Sequence, residues 1–177
     1  MNAHLTMILT CVFFLILGIF LGNGAVYFFN KMPGKWLVDY GQEPDEELLH
    51  PTCQRVKSTP WKYVFTGFFI VVGIAMGTDD PYYAFAAVFA LWLLLEMSIA
   101  DIKYMIVPDR LILLLLVCGI GLIPRNEAGI TGCLIGAAAG FAVIGLTALL
   151  GRLIYKKSAV GGADIKLFAA LGLLTGL

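Results

Sequence analysis

The tetrapeptide Ala-Asp-Ile-Lys occurs twice, at residues 100–103 and 163–166, and sets Asp101 and Asp164 in matching surroundings 63 positions apart. Two carboxyl groups brought together can hydrolyse a peptide bond with neither a metal nor a nucleophilic side chain. Like charges about 4 Å apart at an effective dielectric near 20 repel by roughly 4 kcal/mol, so such a pair shares one proton. The ionised member takes a proton from a water that attacks the scissile carbonyl. The protonated member hydrogen-bonds the carbonyl oxygen and then protonates the leaving amine. Those roles belong to the pair and are not divided between its members. Taken singly, each aspartate has a plainer use: Asp164 as a helix cap, Asp101 as an interfacial acid neutralised by Lys103.

The neighbouring residues fit a site at a membrane edge. Gly161 and Gly162 give the backbone before Asp164 freedom to stay unwound, which is tolerated at such depth only beside a cavity or water. Pro108 redirects the short connection after Asp101, and Asp109 is expected to cap the following helix. Lys103 and Lys166 are expected to anchor helix ends at the headgroups, with a bias on the acids as the lesser role. Glu96, about one turn before Asp101, is an ionisable residue inside an apolar run, where a functional reading is the default. It could line a polar cavity or pair with a basic neighbour. Asp79 and Asp80, in a Gly-Thr-Asp-Asp-Pro turn, read as a solvated loop.

Other chemistries lack their residues. No phosphate-binding loop, dinucleotide fingerprint or His-Glu-x-x-His pattern occurs. Cys11, Cys53, Cys118 and Cys133 are scattered with no Cys-x-x-Cys pair, which signals neither a disulfide framework nor zinc. Lone His50 and Cys53 are too few to hold a metal, and no cofactor is expected.

The elements that must carry these acids follow from composition. Of 177 residues, 60% are hydrophobic and 14% charged, against about 45–50% and about 25% in soluble domains. That surplus excludes a soluble enzyme, a nucleic-acid binder and a disordered chain. Twelve basic and twelve acidic residues cancel, so no bulk attraction to nucleic acid exists either.

An all-α, polytopic membrane helix bundle of about six transmembrane segments is expected, at residues 5–29, 61–78, 81–100, 111–123, 130–150 and 165–177. The fourth is expected to begin earlier, with Arg110 snorkelling. The last has only 13 residues, which implies either a half-embedded helix or, the favoured expectation, a sequence cut from a longer protein. The expected organisation is a first transmembrane helix at 1–30, a cytoplasmic loop at 31–60 and a membrane-embedded core at 61–177. The acidic run Glu43, Asp45, Glu46 and Glu47 reads as part of that solvated loop. Gly132, Gly136 and Gly140 repeat every four positions, the spacing of a close helix–helix contact or of the glycine common in membrane helices.

If the amino terminus lies outside and the spans alternate, eleven of twelve basic residues fall on one side. They are Lys31, Lys35, Arg55, Lys57, Lys62, Lys103, Arg110, Arg152, Lys156, Lys157 and Lys166, with Arg125 alone outside. Basic residues concentrate on the cytoplasmic side of membrane proteins. Asp101 and Asp164 are therefore both expected at the inner edge of a multi-pass protein of the cytoplasmic membrane.

At these residues the sequence resembles the type IV prepilin peptidases, membrane-embedded aspartyl proteases often named for a Gly-x-Gly-Asp motif. The first family block, an Asp followed eight positions later by the Asp of Ile-Pro-Asp, is matched by Asp101 and Val107-Pro108-Asp109, with Val for Ile. The second, Gly-x-Gly-Asp-x-Lys-Leu followed by spaced glycines, is matched by Gly161-Gly162-Ala163-Asp164-Ile165-Lys166-Leu167, then Gly172 and Gly176. Presenilin-like proteases share the second block only. The resemblance covers mainly 97–177, with a weaker echo of the family's first span in Gly18-Ile19-Phe20-Leu21 and Lys31-Met32-Pro33.

The resemblance implies Asp101 and Asp164 as catalytic residues, supported by Pro108, Asp109, Gly161, Gly162 and Lys166. It also implies an aspartic endopeptidase that removes the short basic leader of prepilin-like proteins, cutting after a Gly and before a hydrophobic helix. Prepilins or pseudopilins and the lipid bilayer are the implied partners. Three departures stand out. Ala163 replaces the second motif glycine. The paired loop cysteines of many bifunctional members are missing, so neither zinc nor N-methyltransferase activity is expected. The family commonly continues with further spans. The alternatives are a catalytically inactive relative and a proton-coupled transport protein using Glu96, Asp101 and Asp164 as a relay.

Overall fold

The computed structural model describes residues 3–39, 41–50, 54–156 and 161–177; Cys53 and Lys157 lie outside them. Among the described residues every regular element is helical: α1 (Ala3–Lys31), α2 (Glu46–Leu49), α3 (Trp61–Gly77), α4 (Pro81–Tyr104), α5 (Asp109–Leu122), α6 (Gly129–Tyr155) and α7 (Gly162–Thr175). Each of the six apolar stretches forms one helix, as an all-α membrane architecture requires, because in lipid the backbone must satisfy its own polar groups.

Among the described residues three helices are long and apolar enough to cross a membrane: His4–Lys31, Pro81–Tyr104 and Gly129–Ile154. At 1.5 Å per residue the 17 residues of α3 extend about 25 Å. The 14 residues of α5 and of α7 extend about 21 Å each. Local chemistry sets these lengths. The α5 run ends where Pro124 forces a short 3-10 turn at Ile123–Arg125, and α7 ends at Gly176, whose φ of 72° is left-handed. Large side chains stand outward along the long helices, Phe20 and Tyr27 on α1 and Val143 and Leu153 on α6 among them. Such an apolar exterior is covered by lipid. The protein is a multi-pass membrane protein.

The chain divides into two compact units, Met1–Ile106 and Val107–Leu177. In the first, α3 runs antiparallel to α1 with the backbones nearly touching. A Cβ on Gly18 would stand 2.7 Å from the Ile70 nitrogen, and one on Gly22 would collide with Thr66. Phe14 fills the space left by Gly73 and Gly77 of α3. Helix α4 runs parallel to α1. Phe85 meets Phe13 at 6.2 Å, Trp92 Nε1 donates to the Leu21 carbonyl at 3.2 Å, and Tyr104 stacks on Phe29 at 6.4 Å. Asp80 is not simply a loop residue. It caps α4, its carboxylate accepting from the Tyr82 and Tyr83 N–H groups at 2.9 and 3.1 Å.

In the second unit α6 packs antiparallel to α7 through the glycine stripe. A Cβ on Gly136 would strike the Gly172 carbonyl, one on Gly140 the Phe168 carbonyl, and one on Gly172 the Gly136 carbonyl. Gly132 approaches the Leu177 carbonyl, which lies 2.6 Å from the place of its missing Cβ. Of the two uses of this stripe, close helix contact is the one realised. Helix α5 runs parallel to α7, with Gly119 beside Leu173 and Leu174.

Candidate active site

The candidate residues divide between the units: Asp101 belongs to the first, and Pro108, Asp109, Gly161, Gly162, Asp164 and Lys166 to the second.

Asp101 occupies the last turn of α4 and is exposed. Its carbonyl accepts from the Met105 N–H at 2.8 Å, and Met105 closes the helix in the left-handed region at φ 54°. Lys103 does not reach for headgroups. Its Nζ donates to the Arg55 carbonyl. Arg55 is buried, and its guanidinium donates to the carbonyls of Phe29 (3.2 Å), Met32 and Leu48 (3.1 Å). Two of these belong to the end of α1, where carbonyls lack helical partners and a cation is favoured. Asn30 adds a reciprocal pair, its amide donating to the Val56 carbonyl (2.9 Å) and accepting from the Val56 N–H (2.7 Å). The turn at 55–56 thus ties the end of α1 to the end of α4 that bears Asp101. Arg55 counted in the sequence only as one positive charge. No local signal marks it, because its three acceptors lie 7 to 26 positions away.

Glu96 is completely enclosed, and neither carboxylate oxygen has a hydrogen-bond partner. It shares a buried face of α4 with Leu93, Met97 and Ala100. A pairing with a basic neighbour is not made among the described residues.

In the second unit the parallel α5 and α7 bring their first turns to one end. Pro108 is buried and takes the cap position of α5 at ψ 119°. Asp109 is therefore the first helical residue, not the cap. A proline has no N–H to leave unsatisfied and its fixed φ suits a helix start. The Asp109 carboxylate accepts from Lys166 Nζ at 2.7 Å, joining α5 to α7. Lys166, like Lys103, serves a protein partner instead of the headgroups.

The backbone before Asp164 is not unwound. Gly162 is already helical, and Gly161 caps α7 at φ −71°, ψ 150°, within reach of any residue. Half-buried Asp164 accepts from the Gly161 N–H at 3.2 Å through one carboxylate oxygen, so it does cap its helix. The two tetrapeptides are used alike. In each the lysine is held by a partner outside the motif, which leaves the aspartate two positions earlier without it.

Each aspartate also stands at the basic end of its own unit. Lys31, Arg55, Lys62 and Lys103 gather where α1 and α4 end and α3 begins. Arg110, Arg152, Lys156 and Lys166 gather where α5 and α7 begin and α6 ends, while Arg125 lies at the opposite end.

Residues 87–177, about half of the chain, match a model of the type IV leader peptidase family. A Bacillus subtilis (strain 168) protein named Prepilin leader peptidase/N-methyltransferase is 33% identical over 111 residues, 62% of this chain and 42% of the relative. A protein of that name from Aeromonas salmonicida (strain A449) is 32% identical over 128 residues, 68% of this chain and 42% of the relative. Another, from Aeromonas hydrophila, is 32% identical over 107 residues, 57% and 35% respectively. The chain spans about two fifths of the length of the curated relatives it matches. No solved structure matches it.

Proposed function

The chain belongs to the type IV leader peptidase family, and we propose that it removes the short basic leader of prepilin-like proteins as an aspartic endopeptidase. Asp101 and Asp164 form the catalytic pair in this proposal, at the cytoplasmic face of the inner membrane. The observation that carries it is the repeated tetrapeptide, each copy with its aspartate at the basic end of its unit and its lysine held elsewhere. A substrate of this class keeps its hydrophobic helix in the bilayer and its basic leader in the cytoplasm, so its cut site falls at that depth.

The proposed reaction uses one carboxylate as the base and one carboxylic acid as the proton donor. The ionised one deprotonates a water, and that water attacks the carbonyl of the Gly before the cut. The protonated one hydrogen-bonds the carbonyl oxygen and delivers its proton to the departing amine. Pro108 and the Asp109–Lys166 pair fix the starts of α5 and α7. They are positioning groups that hold Asp164 in place.

The test is co-expression with a prepilin and a gel-shift assay for leader loss. Asp101→Asn and Asp164→Asn each abolish processing while membrane insertion is unchanged. Leader removal at the normal rate by either variant overturns the assignment.

A further inference from the structure

At the basic end of the first unit a cavity of about 200 Å³ opens between the last turns of α1 and the first turn of α3. Lys31, Lys62 and Ser58 form its rim, and Tyr27, Val26 and Asn23 line it further along α1. We propose that this cavity binds the phosphate group of an anionic phospholipid, with Lys31 and Lys62 on the phosphate and the lipid's glycerol and upper chains directed toward Val26.

The chemistry of the lining selects such a ligand. Two lysines line it together with a hydroxyl that has its own hydrogen to give; Ser58 Oγ otherwise accepts from Gln54 at 3.4 Å. Among the described residues none of the lining side chains is acidic. Lysine binds phosphate as a point charge and needs no planar fork to do so. The Lys62 ammonium lies 4.8 Å from the centroid of the Tyr63 ring, so it lies along the flank of α3 near the rim.

The geometry favours a lipid over a free phosphate. Asn23 and Lys31 are eight residues apart, about 12 Å along α1 at 1.5 Å per residue, so the lining is longer than a phosphate and extends from Lys31 past Tyr27 and Val26 toward the apolar stretch of α1. Asn23 spends one amide N–H on the Ile19 carbonyl (2.8 Å) and keeps the other and its oxygen, which suits a glycerol ester. Asn30, also at the cavity, is committed to Val56.

The experiment places the full chain in nanodiscs of equal phosphatidylglycerol and phosphatidylcholine and reads co-purifying lipid by native mass spectrometry. A lysine held on the headgroup contributes about 5-fold in affinity for anionic lipid, about 25-fold for two. Wild type is expected to retain phosphatidylglycerol preferentially, and Lys31→Gln with Lys62→Gln to lose at least tenfold of that preference. Lys35→Gln with Lys57→Gln removes the same charge from the connection between α1 and α3, outside the cavity, and is expected to retain it. A matched unfolding temperature for both double variants shows that folding is intact. A parallel arm adds millimolar inorganic phosphate: failure to displace the lipid assigns the site to a headgroup, and displacement assigns it to free phosphate. Equal retention of both lipids by wild type overturns the proposal, as does equal loss in the two double variants. Neither result depends on peptidase activity.

Discussion

Arg55→Met is the substitution whose consequence follows most directly from the geometry. The methionine keeps an unbranched apolar stem of similar reach and deletes three hydrogen bonds to the carbonyls of Phe29, Met32 and Leu48. Hydrogen bonds to charged groups contribute about 1.5–3 kcal/mol each. Two of the three share one nitrogen, and Nε has no partner, so the sum is discounted to about 3–5 kcal/mol. In chains of about this size 1 kcal/mol corresponds to about 2–4 °C in Tm, which puts the expected loss near 10 °C. Arg55→Lys keeps the charge but reaches fewer carbonyls, and should lose about half as much. The assay is thermal unfolding of the purified protein in detergent, followed by tryptophan fluorescence. Trp92 reports directly, since its indole N–H bonds α4 to α1. Lys103→Met should be non-additive with Arg55→Met by at least about 0.5 kcal/mol, because both side chains serve the same turn. An Arg55→Met protein within 2 °C of wild type (roughly 1 kcal/mol), with strictly additive Lys103→Met, would falsify the clamp between α1 and α4.

Two further expectations concern the second unit. Gly136→Ala and Gly172→Ala each push a methyl into a facing carbonyl and should cost about 1–3 kcal/mol. Gly145→Ala, whose Cβ meets nothing within 4 Å, should be neutral or stabilise by up to about 1 kcal/mol; equal effects at all three positions in a denaturant titration would refute the close α6–α7 contact. Asp109→Asn breaks an ion pair whose side chains are 48% and 57% exposed, worth at most about 1 kcal/mol. Its unfolding shift should be correspondingly small, so any tenfold loss of leader processing by that variant reflects the placement of Asp164 and not the fold.

Much of the candidate site is legible without coordinates. The two Ala-Asp-Ile-Lys copies and the Pro108–Asp109 block are contiguous strings, and the start of α4 follows from Pro81. The helix starts around the site were less legible. Proline before Asp109 displaces it from the cap, and Gly161-Gly162 reads as loose backbone yet starts a helix, where the Asp164 carboxylate accepts from the Gly161 N–H.

The sequence by itself determined where the apolar helices run, which ends carry the positive charge, and which carboxylates stand at those ends. Hydropathy and charge are sums over neighbours in the chain, and a bilayer responds to such sums. The tertiary structure alone decided that Arg55 holds α1, that Lys103 and Lys166 are tied to the Arg55 carbonyl and to Asp109, that Glu96 is enclosed without a partner, and that the glycine stripe faces α7. Each of these depends on which helix packs against which, and partners separated by 23 to 57 positions leave no periodic trace in the chain that carries them.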